Sequence, residues 1–256
     1  MARAAASLRT LLANLIDYAG LYPPAALPLA EVLENYERYR ASAESWMLNR
    51  LVLPAANLAE AAPRPGWRIT LLVEDEPAHL PPQVETFEMK TARRLSRPAY
   101  CEAALDAIPQ GAFAKVRTGG LTPDVIPPAA RLAGFLCAAA ARGVAFKATA
   151  GLHHPWRSLR PLTYAPEAPQ AVMHGFVNVF AAAAFAWQGA ERDMVREILS
   201  DVDVAAFDFE DAALRWRGHS LSKAAIEEAR RDFAHSFGSC SFEEPVADLR
   251  QLGLLD

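Results

Sequence analysis

The chain has 256 residues, 52% of them apolar and 22% charged, with a formal net charge of −4. That balance belongs to a globular protein able to bury a sizeable core, and it excludes a disordered chain and a basic nucleic-acid footprint. Three cysteines, Cys101, Cys137 and Cys240, without C-x-x-C spacing argue against a disulfide framework or structural zinc and suit a reducing, cytoplasmic setting.

The opening "MARAAASLRTLLANLIDYAG" is interrupted by Arg9, Asn14 and Asp17, so it reads neither as a signal peptide nor as a membrane span. Apolar spacing through "LAEVLENYERYRAS" (29–42) predicts an amphipathic helix. "RLVLP" (50–54) and "WRITLLVED" (67–75) read as buried strands, and "VETFEMK" (84–90) and "PAYCEAAL" (98–105) as weaker ones. "AFAKVRTGG" (112–120) and "VAFKATAGLHH" (144–154) are strands that each run into a lysine, a threonine and glycine. Between them a helix ends at Gly143 as its C-cap.

After residue 155 comes a proline-rich loop, an apolar helix (172–188) interrupted by Asn178, and a charged helix (191–200). "AAFDFEDAALRWRGHSLS" reads as a strand or hairpin, "SKAAIEEARRDFAHS" as a helix capped by Ser222, and "FGSCSFEEPVADLRQLG" as a strand or loop followed by a short helix. Strands centred near 15, 51, 70, 87, 100, 114, 146 and 237 give eight, with 204–217 as a rival for the last. Alternating β and α elements predict an α/β fold, a (β/α)8 TIM barrel in one domain spanning 1–256, with 155–235 as an insertion or extended helical segment. No glycine-rich nucleotide fingerprint supports an open doubly wound sheet.

In a parallel barrel, function gathers at the C-terminal strand ends. Lys115, Arg117 and Thr118 close one such strand, and Lys147, Thr149, His153 and His154 the next. A desolvated lysine beside a second ammonium becomes a neutral amine able to attack a carbonyl. Both lysines are equally compatible with fixed positive charges that hold an anion. Adjacent residues on an extended segment point opposite ways, so one histidine at most should face the site. His153, His154 and His174 with Glu88 or Glu102 would supply a divalent metal site, although no H-x-H or H-E-x-x-H spacing is present. Asp17 is either catalytic or a turn cap, and Asn178 should find hydrogen-bond partners in the core. Cys240 reads as a small buried residue, and Glu243 and Glu244 as carboxylates favouring a helix N-terminus.

"KVRTGG" and "KATAGL" resemble the paired lysine motifs of deoxyribose-phosphate aldolase, a class I aldolase family built as a TIM barrel. "LIDYAGLYPP", "RLVLPAANLAEAA", "PAYCEAAL" and "FGSCS" are similar to further stretches of that family in the same order. The resemblance implies Lys115 as the Schiff-base residue, Lys147 as the group that lowers its pKa, and Glu88 or Glu102 as proton carriers; His153, in a stretch that departs from the family, is expected to assist them as acid or base from its place after the strand. It also implies that Gly238, Ser239 and Ser241 of "GSCS" hold a substrate phosphate. Asp17, Arg117, which replaces a small residue of the family, Thr118, Thr149 and His154 are expected to bind substrate from their places at the strand ends. No cofactor is implied, and the partner is a small carbonyl substrate with an anionic group. Nucleic acid and membrane are not expected, and homo-oligomerisation stays open. "GLHH" and the long 155–235 segment depart from the family and point to a different substrate. The rivals are a metal-assisted hydrolase or isomerase and a non-catalytic anion-binding barrel.

Overall fold

The computed structural model describes residues 4–74, 82–89, 105, 106, 108 and 111–256. In chain order the strands are β1 Ile16–Tyr18, β2 Leu48–Pro54, β3 Ile69–Val73, β4 Val84–Met89, β5 Ala114–Arg117, β6 Phe146–Thr149, β7 Ser158–Pro161, β8 Gln170–Met173, β9 Phe207–Phe209, β10 Ala213–Trp216, β11 His219–Ser222 and β12 Ala234–Ser239. Seven of them form one sheet in the order β4-β3-β2-β1-β12-β6-β5, and every pairing in it is parallel. Helices Leu29–Arg40, Ala129–Ala141 and Phe176–Trp187 lie between strands in sequence, as parallel crossovers demand.

The sheet is open among the described residues, with β4 and β5 at its edges. It is nevertheless strongly curled, because Glu88 on β4 meets Lys115 on β5 with 2.6 Å between Oε2 and Nζ. Among the described residues the sheet is thus a half-barrel of seven parallel strands. Seven expected strands are present, whereas 98–104, expected to hold another, lies outside the described residues.

The 155–235 segment holds more than helices. β7 and β8 form an antiparallel hairpin, and β9, β10 and β11 a separate antiparallel sheet. The stretch 204–217 therefore supplies no strand to the main sheet, and β12 takes that place between β1 and β6. The apolar helix begins at Phe176 rather than near 172, because Gly175 breaks the run. A Cβ on Gly175 would lie 2.3 Å from the Pro155 carbonyl oxygen, so only glycine lets the two backbones come so close.

Helix Phe176–Trp187 is buried along nearly its whole length, which explains why it is apolar on every side. Phe176 and Phe237 stack at 5.3 Å between centroids, and Phe180 stacks on Phe146 at 6.1 Å, joining helix to sheet. Burying each such ring contributes roughly 1.5–3 kcal/mol. Asn178, the polar residue of this helix, donates through Nδ2 to the carbonyls of Ile198 (2.8 Å) and Asp201 (2.9 Å). Its Oδ1 accepts from the Arg157 backbone N–H at 2.8 Å. The expected core partners are present, and they tie the helix to the end of helix Arg192–Ser200 and to the loop after β6.

Asn178→Leu leaves a buried N–H and two carbonyls without this partner. We expect it to lower stability by roughly 2–4 kcal/mol, at about 1–3 kcal/mol for each group left unsatisfied and partial relaxation. Urea denaturation checks this, and an unchanged midpoint would show that water replaces the amide.

Candidate active site

Polar side chains inside a parallel sheet must find their partners there. Lys115 and Lys147 are direct register partners on β5 and β6, so they share one face of the sheet. Lys147 is in turn the register partner of Ser236 on β12. Each lysine is the second residue of a four-residue strand, one turn of the pleat earlier than the strand end expected for it.

The Lys147 ammonium lies 2.6 Å from Asp17 Oδ2 and is also bonded to Glu88 Oε1. Glu88 Oε2 holds Lys115 Nζ. Asp17 Oδ1 accepts from Asn49 Nδ2 (2.7 Å) and from the Arg50 backbone N–H (3.2 Å), and Oδ2 accepts from Ser236 Oγ (2.9 Å). The outcome is a line of alternating charge, Asp17, Lys147, Glu88, Lys115, held at its buried end by Asn49 and Ser236. Side-chain exposure is 0% for Asp17, 4% for Lys147 and Glu88, and 43% for Lys115. Only Lys115 is open.

Burial alone would lower the Lys147 ammonium, but the charges of Asp17 and Glu88 outweigh it and raise the group above its ordinary value. For Glu88, burial would raise the carboxyl, and the ammoniums of Lys147 and Lys115 instead hold it below its ordinary value. Lys147 is thus a fixed cation rather than a nucleophile. The two lysines do not face each other bare, since Glu88 offers one oxygen to each.

The repeated lysine-then-glycine pattern has a steric cause. The loops after β5 and β6 touch at Gly119 and Gly151, where a Cβ on Gly119 would lie 2.7 Å from the Gly151 Cα. Gly151 also has φ +79°, a conformation that favours glycine. Thr118 and Thr149 serve the same junction. Thr118 Oγ1 donates to the Ala150 carbonyl at 2.6 Å, and Thr149 Oγ1 lies 3.4 Å from the Val116 carbonyl. Their hydroxyl protons are spent on backbone, not offered to a ligand. Arg117 Nε donates to the Gly119 carbonyl at 2.8 Å.

The "GSCS" loop is likewise occupied with itself. Ser239 Oγ accepts from the Ser241 N–H, and Ser241 Oγ from the Glu244 N–H at 3.1 Å, where helix Glu243–Gln251 begins. Space is open beside Gly238. Glu243 and Glu244 already place negative charge in the first turn of this helix, which disfavours a phosphate there. Glu102 lies outside the described residues.

His153 and His154 do not point opposite ways, because Ala150 (φ +60°) and Gly151 turn the chain out of extended geometry before it reaches them. Both face helix Glu243–Gln251. His153 Nδ1 is 3.1 Å from Glu244 Oε2, and His154 Nδ1 is 2.6 Å from Asp248 Oδ2. Glu244 and Asp248 are four residues apart, one helical turn, and so match the adjacent histidines. His174 is elsewhere. Its Nε2 bonds the Pro127 carbonyl at 2.7 Å, and burial, offset in part by that bond, pushes it down to about 4. The three histidines do not converge, and among the described residues no group of three or more His, Cys, Asp or Glu is placed to hold a metal ion.

Sequence reasoning passed over Asn49 and Ser236, which orient Asp17, and Tyr22. The Tyr22 hydroxyl is buried and has no hydrogen-bond partner among the described residues. Burial, and then the charge of Glu88, push it up to about 12, which marks it as a neutral donor near the carboxylate. A polar residue inside an apolar strand was the available signal for Asn49 in "MLNRLVLP" and Ser236 in "AHSFG".

Glu88 titrates below its ordinary 4.5, so its share of the stability is complete above that value and is lost as pH falls through the lowered folded one. Lys147 titrates above its ordinary 10.5, so its share is complete below that value and is lost as pH rises through the raised one. Lys147→Met should cost roughly 3–5 kcal/mol at pH 7, by stranding buried carboxylates. The loss should shrink at pH 4, because Glu88 without the Lys147 charge takes up a proton more readily. Urea midpoints at both pH values test this, and equal losses would contradict it.

Comparison with protein-family models, curated proteins and solved structures returns no match.

Proposed function

We propose that the protein is a carbon–carbon lyase of the class I aldolase type, with Lys115 forming a Schiff base on a small carbonyl compound. The curled sheet is read here as seven strands of a (β/α)8 barrel. One observation carries the proposal: of two lysines in register on adjacent strands, one is locked between two carboxylates and the other is open, with a carboxylate at 2.6 Å.

In this reading Glu88 takes a proton from Lys115 Nζ, and the amine adds to the carbonyl carbon while the π pair moves to oxygen. Glu88 returns the proton to that oxygen, water leaves, and an iminium forms. When the substrate carries a β-hydroxyl, the freed Glu88 carboxylate takes its proton and the Cα–Cβ bond breaks. The electron pair enters the iminium to give an enamine, and an aldehyde departs. Lys147 keeps its charge throughout and fixes Glu88 between the two nitrogens. Tyr22 is the donor we assign to the substrate oxygen, because its buried hydroxyl has no other partner among the described residues. Arg117, two residues beyond Lys115 on the same strand, is assigned to an anionic substituent. No cofactor is required.

Incubation with a panel of small aldehydes and ketones plus borohydride, followed by peptide mass spectrometry, should find a reduced adduct on Lys115 and none on Lys147. Glu88→Gln should slow trapping on the order of 100-fold, the scale of a lost proton carrier. Tyr22→Phe should slow it less. A panel that leaves Lys115 unmodified, or labels lysines indiscriminately, removes the Schiff-base reading.

A further inference from the structure

A cavity of about 400 Å³ lies at the N-terminal ends of β1, β2 and β12, away from the strand ends where the threonine and glycine loops meet. Asn14 precedes β1, and Asn49 and His235 are the second residues of β2 and β12. Arg50 adds to this lining, and helix Lys223–Asp232 contributes Glu227, Arg230 and Arg231. Asn49 gives its Nδ2 to Asp17 at 2.7 Å, so one side chain separates the cavity from the buried end of the lysine row.

Cations here outnumber carboxylates. Arg231 is spent on Asp232, through Nε at 2.9 Å and Nη2 at 2.6 Å, and Glu227 on Lys223 at 2.7 Å. Arg50 Nε and Arg68 Nε each take one oxygen of Glu85 at 2.9 Å, so two guanidiniums share one negative charge. Arg68 reaches the rim as well, donating through Nη1 to Asn14 Oδ1 at 3.0 Å. Arg230 has no carboxylate partner among the described residues. Its Nη atoms donate to the backbone carbonyls of Ala13 (2.9 Å), His235 (2.6 Å) and Ala234, and its Nε is buried without a hydrogen bond among those residues. Two positive charges are therefore left over among the described residues, one between Arg50 and Arg68 and one on Arg230.

The His235 ring makes no hydrogen bond among the described residues and meets Phe113 edge-on at 5.8 Å. The charges around it are Arg230 from the helix, Arg50 from β2, Asp17 from β1, itself held by Lys147, and Asp232. Burial, and then Arg230 and Arg50, hold His235 below its ordinary value, so it stands neutral beside the surplus.

We propose that this cavity is a second binding site, taking a small anion through a doubly charged oxyanion group, a phosphate in free or ester form. The surplus of two charges decides the class, since a monocarboxylate would leave one of them unbalanced. Guanidinium N–H groups form a fork that fits such oxygens, and Arg50 is bonded only through Nε among the described residues. A seated dianion favours the His235 imidazolium, so binding takes up a proton and strengthens as pH falls. This site does not depend on Lys115.

Calorimetric titration of the full chain with inorganic phosphate, glycerol phosphate and sulfate, against chloride and acetate at equal ionic strength, tests this. Sulfate keeps both charges between pH 5.5 and 8, so any change in its affinity reports the protein. One sulfate should bind per chain, at least about tenfold more tightly than acetate. Its affinity should rise at least about threefold from pH 8 to 5.5. Arg50→Gln and Arg230→Gln should each weaken it at least about tenfold, and His235→Gln should flatten the pH dependence. Thermal melts confirm that each variant folds, and Arg50→Gln and His235→Gln decide the matter even if Arg230→Gln does not fold. Lys115→Ala should bind as the wild type does. Tighter binding of glycerol phosphate than of phosphate assigns the site to an ester, and equal binding assigns it to the free ion. Heats no larger than those with chloride, or acetate binding as tightly as sulfate, overturn the proposal. Affinity unchanged in both Arg50→Gln and His235→Gln, or lost in Lys115→Ala, puts the anion elsewhere and overturns it equally.

Discussion

An ammonium in the middle of a parallel sheet is tolerated only where negative charge meets it, and Lys147 is met from both sides, by Asp17 and Glu88. Everything nearby follows from that requirement. Asp17 must be held on β1, so Asn49 on β2 and Ser236 on β12 turn polar groups inward within otherwise apolar strands. Glu88 reaches across from β4 to Lys115 on β5, a contact that only a curled sheet allows between its two edges. Removing any member strands a charge that has already lost its water, the costly case for a buried pair. The array is therefore a constraint on strand register as much as a set of reactive groups.

Much of this could be read from the sequence because buried strands declare themselves. Short aliphatic runs located β2, β3, β5 and β6, and the recurrence of lysine before threonine and glycine singled out the two residues that share a row. What the runs could not give was which side chains meet across long separations. A short run such as "VETFEMK" leaves its register open, and only the pairing of Glu88 with Leu72 on β3 fixes which way the carboxylate faces. Glu244 looked like a carboxylate favouring a helix terminus, yet its main partner is His153, contributed from another strand end. Alternation failed for the histidine pair because two positive-φ residues precede it, and a rule for extended chain does not survive a turn. The helix expected from 172 was cut short by Gly175, a close backbone approach that hydropathy does not register.

The strand ends thus divide their chemistry. The lysine array faces into the curl of the sheet, with its charges balanced among themselves. His153 and His154, the residues added to the second lysine strand, are turned away to the last helix and matched there to two carboxylates one turn apart. Thr118, Thr149, Gly119 and Gly151 stand between the two loops and spend their polar groups and their small size on joining them. Residues adjacent in sequence therefore serve separate purposes, and a motif taken as one unit separates into a reactive row, a junction and a helix anchor.

The ion pair between Lys115 and Glu88 joins the two edge strands of the described sheet, and it is made by the most exposed lysine of the array. The seam of the sheet is consequently closed by a group that reagents can reach. An acyl group on that nitrogen abolishes its charge, leaving Glu88 to Lys147 alone and β5 without its ionic hold on β4. Chemical accessibility and mechanical closure reside in a single atom, so a reagent that neutralises the amine also unfastens the edge, whereas one that leaves it cationic does not.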